Sequence, residues 1–296
     1  MSGVALPTPS VSPEGTAAEW PRRRLPYVFA AIAFGVLFAH PFVLLLDDWW
    51  NNPEAGHGLL LAPAAVWLAW RSRRGVATRP APVLGGAVLL AAVLIRYLSS
   101  LAAELYTMRM SMLLALAGLV LFFGGLARLR AWWLPAALLV LAVPLPEVII
   151  GSIARPLQLQ ASEMGAALLR VRSVPVRLDG NLILLPGHQL FVTEACSGLR
   201  SLTALLSLGF LAGGLWLRLP VSRALLVAGA IPVAVLLNGV RVFLTGFLVY
   251  FIDPQFGEGF MHLTEGWLMF LVAFGLLFLL ALSIAAVERR FAKVIR

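Results

Sequence analysis

From Leu25 to Leu46 the chain carries no aspartate, glutamate, lysine or arginine, and runs of this kind recur along it. About 20 apolar residues is the length at which a helix crosses the roughly 30 Å hydrocarbon core of a bilayer. Inside lipid every backbone N–H and C=O must be bonded within the protein, which leaves only helices and closed barrels. Spans are expected at 25–46, 83–101, 108–126, 131–150, 197–217, 224–251 and 263–287, with a shorter one at 57–70 that contains Pro63. Only 12% of the residues are charged, about half the share of a soluble domain, so a soluble globular class is excluded. The first run is too long for the apolar core of a signal peptide and has no small-residue cleavage site, so it reads as an uncleaved helix.

Charge sets the topology. Counting 57–70 as a span gives eight, an all-α polytopic membrane protein with both termini cytoplasmic. That count places Arg22, Arg23, Arg24, Arg71, Arg73, Arg74, Arg128, Arg130, Arg218, Arg223 and the basic end of the chain on one side, with nearly all acids opposite. The net charge of +9 is therefore a mark of membrane orientation, and the lipid bilayer rather than nucleic acid is the expected partner. Residues 1–24, rich in Pro, Ser and Gly, are expected to be a disordered cytoplasmic tail. Residues 25–287 form the transmembrane domain, and 288–296 a basic cytoplasmic tail. Between the fifth and sixth spans, 151–196 is expected to form a small extracytoplasmic cap. Ile153, Leu157, Met164 and Leu168 recur at helical spacing there, as in an interfacial helix. Asp179-Gly180 between apolar runs reads as a hairpin turn. Glu104 and Arg109 flank a short outer loop and are expected to pair.

Three polar residues converge in depth near the outer ends of three spans. Cys196, the single cysteine, lies where the sixth begins; Arg241 lies in the outer half of the seventh; His262 lies at the mouth of the eighth. A lone cysteine in an apolar segment is ordinarily a packing residue, and a lone interfacial histidine is ordinarily hydrogen-bonded structure. An arginine within a span differs, since it costs about 2.5–3.5 kcal/mol unless paired or facing a wet cavity. Together the three form a set for acyl transfer. Cys196 at a helix N-terminus attacks a peptide carbonyl, His262 moves the proton, and Arg241 stabilises the oxyanion. Arg200, one turn beyond Cys196, assists the thiolate or holds acidic groups of the substrate. Asn238, one turn before Arg241, orients it. A single cysteine excludes an internal disulfide and a Cys-x-x-Cys metal site. His40, His57 and His188 match no ligand spacing, so no metal or other cofactor is expected.

"EACSGLRS", "LLNGVRV" and "HLTEGW", in that order at successive outer mouths, resemble the exosortase/archaeosortase family. "GHGLLLAPAAVWLAWR" upstream and "VPLPE" at 143–147 fit the same pattern, so that the likeness covers most of 40–285. The resemblance implies a multi-pass cysteine transpeptidase or protease of the bacterial inner membrane, working near the periplasmic face. Its substrates are membrane-anchored proteins with a C-terminal sorting signal: a Pro-Glu-Pro-like motif, a transmembrane helix and a basic tail. An acceptor of unknown identity resolves the thioacyl intermediate. The family's proposed catalytic residues fall on Cys196, Arg241 and His262, with His57 and Glu194 as supporting positions. Members are linked to exopolysaccharide production, so any such partner of this chain is expected to be a separate protein. The alternative is a non-catalytic or transport component of an exopolysaccharide export system. A transporter would show matched repeats, of which the sequence carries none, and a scaffold would tolerate Cys196→Ser.

Overall fold

The computed structural model describes residues 19–52, 54–72, 79–193, 197–257 and 259–294, with the side chains of 19–24, 257–266 and 291–294 outside the described set. In chain order the helices are α1 (Glu19–Asn51), α2 (Gly58–Arg71), α3 (Pro82–Leu101), α4 (Leu105–Ala131), α5 (Trp133–Leu141) and α6 (Glu147–Val171). Strands β1 (Arg177–Asp179), β2 (Leu182–Leu185) and β3 (His188–Phe191) follow, then α7 (Leu199–Trp216), α8 (Pro220–Phe251) and α9 (Gly259–Val294). Six of these helices are long and apolar enough to cross a membrane: α1 from Leu25, α3, α4, α7, α8 and the Trp267–Arg290 part of α9. The chain is an all-α polytopic membrane protein, as expected. The expected tail at 1–24 lies outside the described residues up to 18, and α1 already begins at Glu19.

Of the eight expected spans, the short one at 57–70 is the short helix α2, and the one at 131–150 is broken. α2 has 14 residues, about 21 Å at 1.5 Å per residue. The expected span 131–150 is not one helix: α5 stops at Leu141 after nine residues, and α6 begins at Glu147. Between them stands Val143-Pro144-Leu145-Pro146. Each proline lacks a donor and drives the residue before it out of helical geometry, so two in alternation end the helix. The carbonyls left free at the end of α5 are met by side chains from elsewhere. Trp49 Nε1 donates to the Ala142 carbonyl at 2.7 Å, and His57 Nε2 lies 3.1 Å from the Leu141 carbonyl. In a setting without water this is what allows a helix to stop. Trp49 also stacks so closely on Gly58 that no side chain fits there. Trp49, Leu61, Leu138 and Ala142 belong to one buried cluster that joins α1, α2, α4 and α5.

α4 breaks at Gly125 (φ 77°), where the Arg79 carbonyl occupies the space of a side chain. At its other end Arg109 is buried (5% exposed) and pairs with Asp48 of α1 at 2.6 Å, with a further bond of 3.3 Å to the Leu44 carbonyl. The expected Glu104–Arg109 pair is thus replaced by a link between helices. Glu104 instead caps α4, accepting from the backbone N–H groups of Tyr106 (3.0 Å) and Thr107 (2.6 Å).

β1, β2 and β3 form an antiparallel sheet in sequence order, with Asp179 pairing Leu182 and Gly180 (φ 60°) in the turn, at the expected hairpin. Buried Ile183, Leu185 and Val192 pack on Ala161 and Leu169 of α6 and on Val242 and Val249 of α8. α6 approaches α8 through small residues, Gly165 against Val242 and Gly239 against Met164, the usual means of close helix packing in lipid. α7 and α8 run antiparallel, with Gly209 beside Val227 and Gly198 beside Asn238. α8 and α9 share a third core of Leu226, Ala230, Ala234, Ala273 and Leu277. Glu288 of α9 accepts hydrogen bonds from the backbone N–H groups of Arg218 (3.0 Å) and Leu219 (2.5 Å), tying the end of α9 to the start of α8.

Candidate active site

The start of α7 is shaped by three residues. Gly198 adopts the left-handed conformation (φ 79°), in which a side chain is strained. A Cβ there would also stand 2.6 Å from the Asn238 side chain, so close approach to α8 demands glycine twice over. Buried Ser197 turns its hydroxyl back to accept from the Leu199 N–H at 3.2 Å, satisfying one of the open donors of the helix. The Gly198 carbonyl accepts the first helical bond, from Leu202. The chain that follows Cys196 is therefore pinned against α8.

Opposite it, Asn238 is 7% exposed, and half-buried Arg241 stands one turn along. Asn238 and Arg241 line a cavity of about 10 Å³ together with Ser201 of α7, Ala234 of α8, and Met269 and Ala273 of α9. That is room for about one water. Three helices thus meet around one cation, one amide and one hydroxyl. Thr245, buried one turn beyond, donates to the Arg241 carbonyl at 3.0 Å and holds the helix there. His262 lies in the first turn of α9. Met269 fixes the level of Arg241 on that helix, so the His262 backbone is seven residues, about 10 Å, nearer the N-terminal end of α9. Its side chain, and Glu194 and Cys196 entirely, lie outside the described residues.

A family model described as a transmembrane exosortase matches residues 49–279. The chain belongs to the exosortase family. No curated protein and no solved structure matches it.

Of the supporting residues expected for this exosortase, Asn238 lies in the Arg241 cavity and Arg200 does not. Arg200 is exposed, and Ser201 takes the inward position. Ser201 closes the EACSGLRS motif but was assigned no role there; its signal is its place one turn after Gly198. His57 is engaged away from this cavity, with Nδ1 3.1 Å from the Glu54 carbonyl and Nε2 on α5. Among the described residues no three of His, Cys, Asp and Glu come together as metal ligands would.

Proposed function

We propose that this exosortase is a membrane-embedded cysteine transpeptidase that cleaves a C-terminal sorting signal through a thioacyl intermediate. The observation that carries the reading is the packing of Gly198 on Asn238, with Arg241 one turn along the same helix in a polar cavity. Gly198 stands two residues after Cys196 in the sequence. Cys196 attacks the scissile carbonyl, and the tetrahedral oxyanion takes its charge balance from the Arg241 guanidinium. In a site with space for little water such a charge acts strongly. His262 accepts the thiol proton and returns it to the leaving amine. Asn238 and Ser201 supply neutral hydrogen-bonding groups beside the guanidinium. Collapse of the intermediate releases the C-terminal fragment and leaves an acyl-Cys196, which an acceptor amine or water then resolves.

The distribution of arginine supports an orientation with both termini in the cytoplasm and the site at the outer face, and the family resemblance points to the bacterial inner membrane. The test is co-expression with a reporter bearing a Pro-Glu-Pro-type C-terminal signal. Wild type shortens the reporter and Cys196→Ala does not; equal shortening by both would overturn nucleophilic catalysis by Cys196.

A further inference from the structure

A second opening, of about 330 Å³, lies between α6 and the β1–β2 turn, within the range of volumes that hold small ligands or peptide side chains. Its floor is buried Ala154, and its polar walls are Arg155, Gln158 and Asn181. Arg155 and Gln158 stand three residues apart and so share a face of α6. Neither side chain bonds to any described group. Gly151 and Gly180 flank them, and a Cβ at either would meet nothing within 4 Å. The opening is thus left wide at two glycines and is walled by one cation and two amides.

Its position ties it to the nucleophile. The Val192 N–H donates to the Asn181 carbonyl at 2.9 Å, and Asn181 Nδ2 donates back to the Val192 carbonyl at 3.0 Å. Val192 directly follows β3, and Cys196 is four residues further along the sequence. A peptide presented to Cys196 would have neighbouring residues within reach of this opening.

We propose that the groove between α6 and the β1–β2 turn binds an acidic side chain of the substrate peptide, with Arg155 as its counter-ion and specificity determinant. The inference rests on Cys196 as the nucleophile. Arg155 and Gln158 supply charge and a neutral donor to a carboxylate, a pairing in which a planar guanidinium is favoured. Leu159 offers an apolar rim to the aliphatic part of the same residue. A lipid phosphate has similar chemistry, but lipid binding gives no reason for the groove to lie at the turn bonded to Val192, four residues before Cys196 in the sequence.

The full chain carrying Cys196→Ala, in nanodiscs of neutral lipid, separates binding from chemistry. The probe is a fluorescent peptide copying the extracytoplasmic segment of the reporter, with glutamate or arginine at its acidic positions. Arg155→Glu is expected to weaken binding of the glutamate peptide by about tenfold or more and to restore the arginine peptide. Gly151→Leu favours the helix and fills the groove, and should weaken the glutamate peptide. Unchanged glutamate-peptide binding in Arg155→Glu, no gain of the arginine peptide in that variant, or no binding of the glutamate peptide by the parent overturns the proposal. So does a loss that appears only in retention of phosphatidylglycerol, which assigns the groove to a headgroup. If Cys196→Ala shortens the reporter as wild type does while the charge swap still switches binding, the transpeptidase reading fails and the groove stands.

Discussion

Arg109 and Arg241 both sit in helices of a membrane protein, and the fold treats them in opposite ways. Arg109 is closed over by Asp48 and the Leu44 carbonyl, and ties α4 to α1. Arg241 is half-buried and borders a cavity where α7, α8 and α9 meet, beside Asn238 and Ser201. An intramembrane charge must be compensated, and the two surroundings differ in what they leave room for. Asp48 at 2.6 Å makes Arg109 a tie between helices. Arg241 shares its cavity with a hydroxyl and an amide, and under the proposed mechanism the oxyanion forms there.

The largest effect expected from this contrast is on stability. Arg109→Ala leaves part-exposed Asp48 without its partner and should cost about 1.5–3 kcal/mol, read as loss of folded protein in detergent. Replacing both residues with apolar ones of similar size should recover most of that loss. Arg241→Ala should do the reverse, keeping thermal stability near wild type while lowering reporter processing by about 10²–10³-fold. A large stability loss from Arg241→Ala would break the distinction.

Gly198→Ala comes next, since the left-handed backbone and the Asn238 contact both oppose a side chain. It should cost about 1–3 kcal/mol locally and lower processing with little change in overall folding, measured on the same reporter.

Glu104→Ala is the smallest, removing the α4 cap at about 1 kcal/mol. Partial burial pushes the Glu104 carboxyl up, but the hydrogen bonds from Thr107 and Tyr106 and the charge of Arg109 outweigh it and hold it below the usual range. A carboxyl depressed in the folded state stabilises fully above its unfolded pKa, about 4.3. That contribution is lost as pH falls through the lowered folded value. Acid melts of wild type should show this loss and Glu104→Gln should lack it.

How far the sequence was legible depended on the residue. The count of 20 apolar residues placed α3 to within a residue, at 82–101 against an expected 83–101. The same count misread 131–150, because it weighs hydropathy and ignores donors. Single prolines, Pro63 in α2 and Pro232 in α8, stay within helices, whereas Pro144 and Pro146 in alternation end one. Which residue of α7 faces the Arg241 cavity was not legible either, because α7 begins at Leu199 after the left-handed Gly198, and its helical phase presents Ser201 there while Arg200 is exposed. The partner of Arg109 was hidden because Asp48 lies on another helix, and only packing brings the two together.

The proposed chemistry requires Cys196 to act beside Arg241. The most direct measurement is the intact mass of the peptide containing Cys196, isolated from cells expressing the enzyme with its reporter. A reporter-derived adduct on Cys196 that hydroxylamine removes, and that is absent from Cys196→Ala, is the result expected. Reporter shortened to the same product by Cys196→Ala, with no adduct on the wild type, would contradict it.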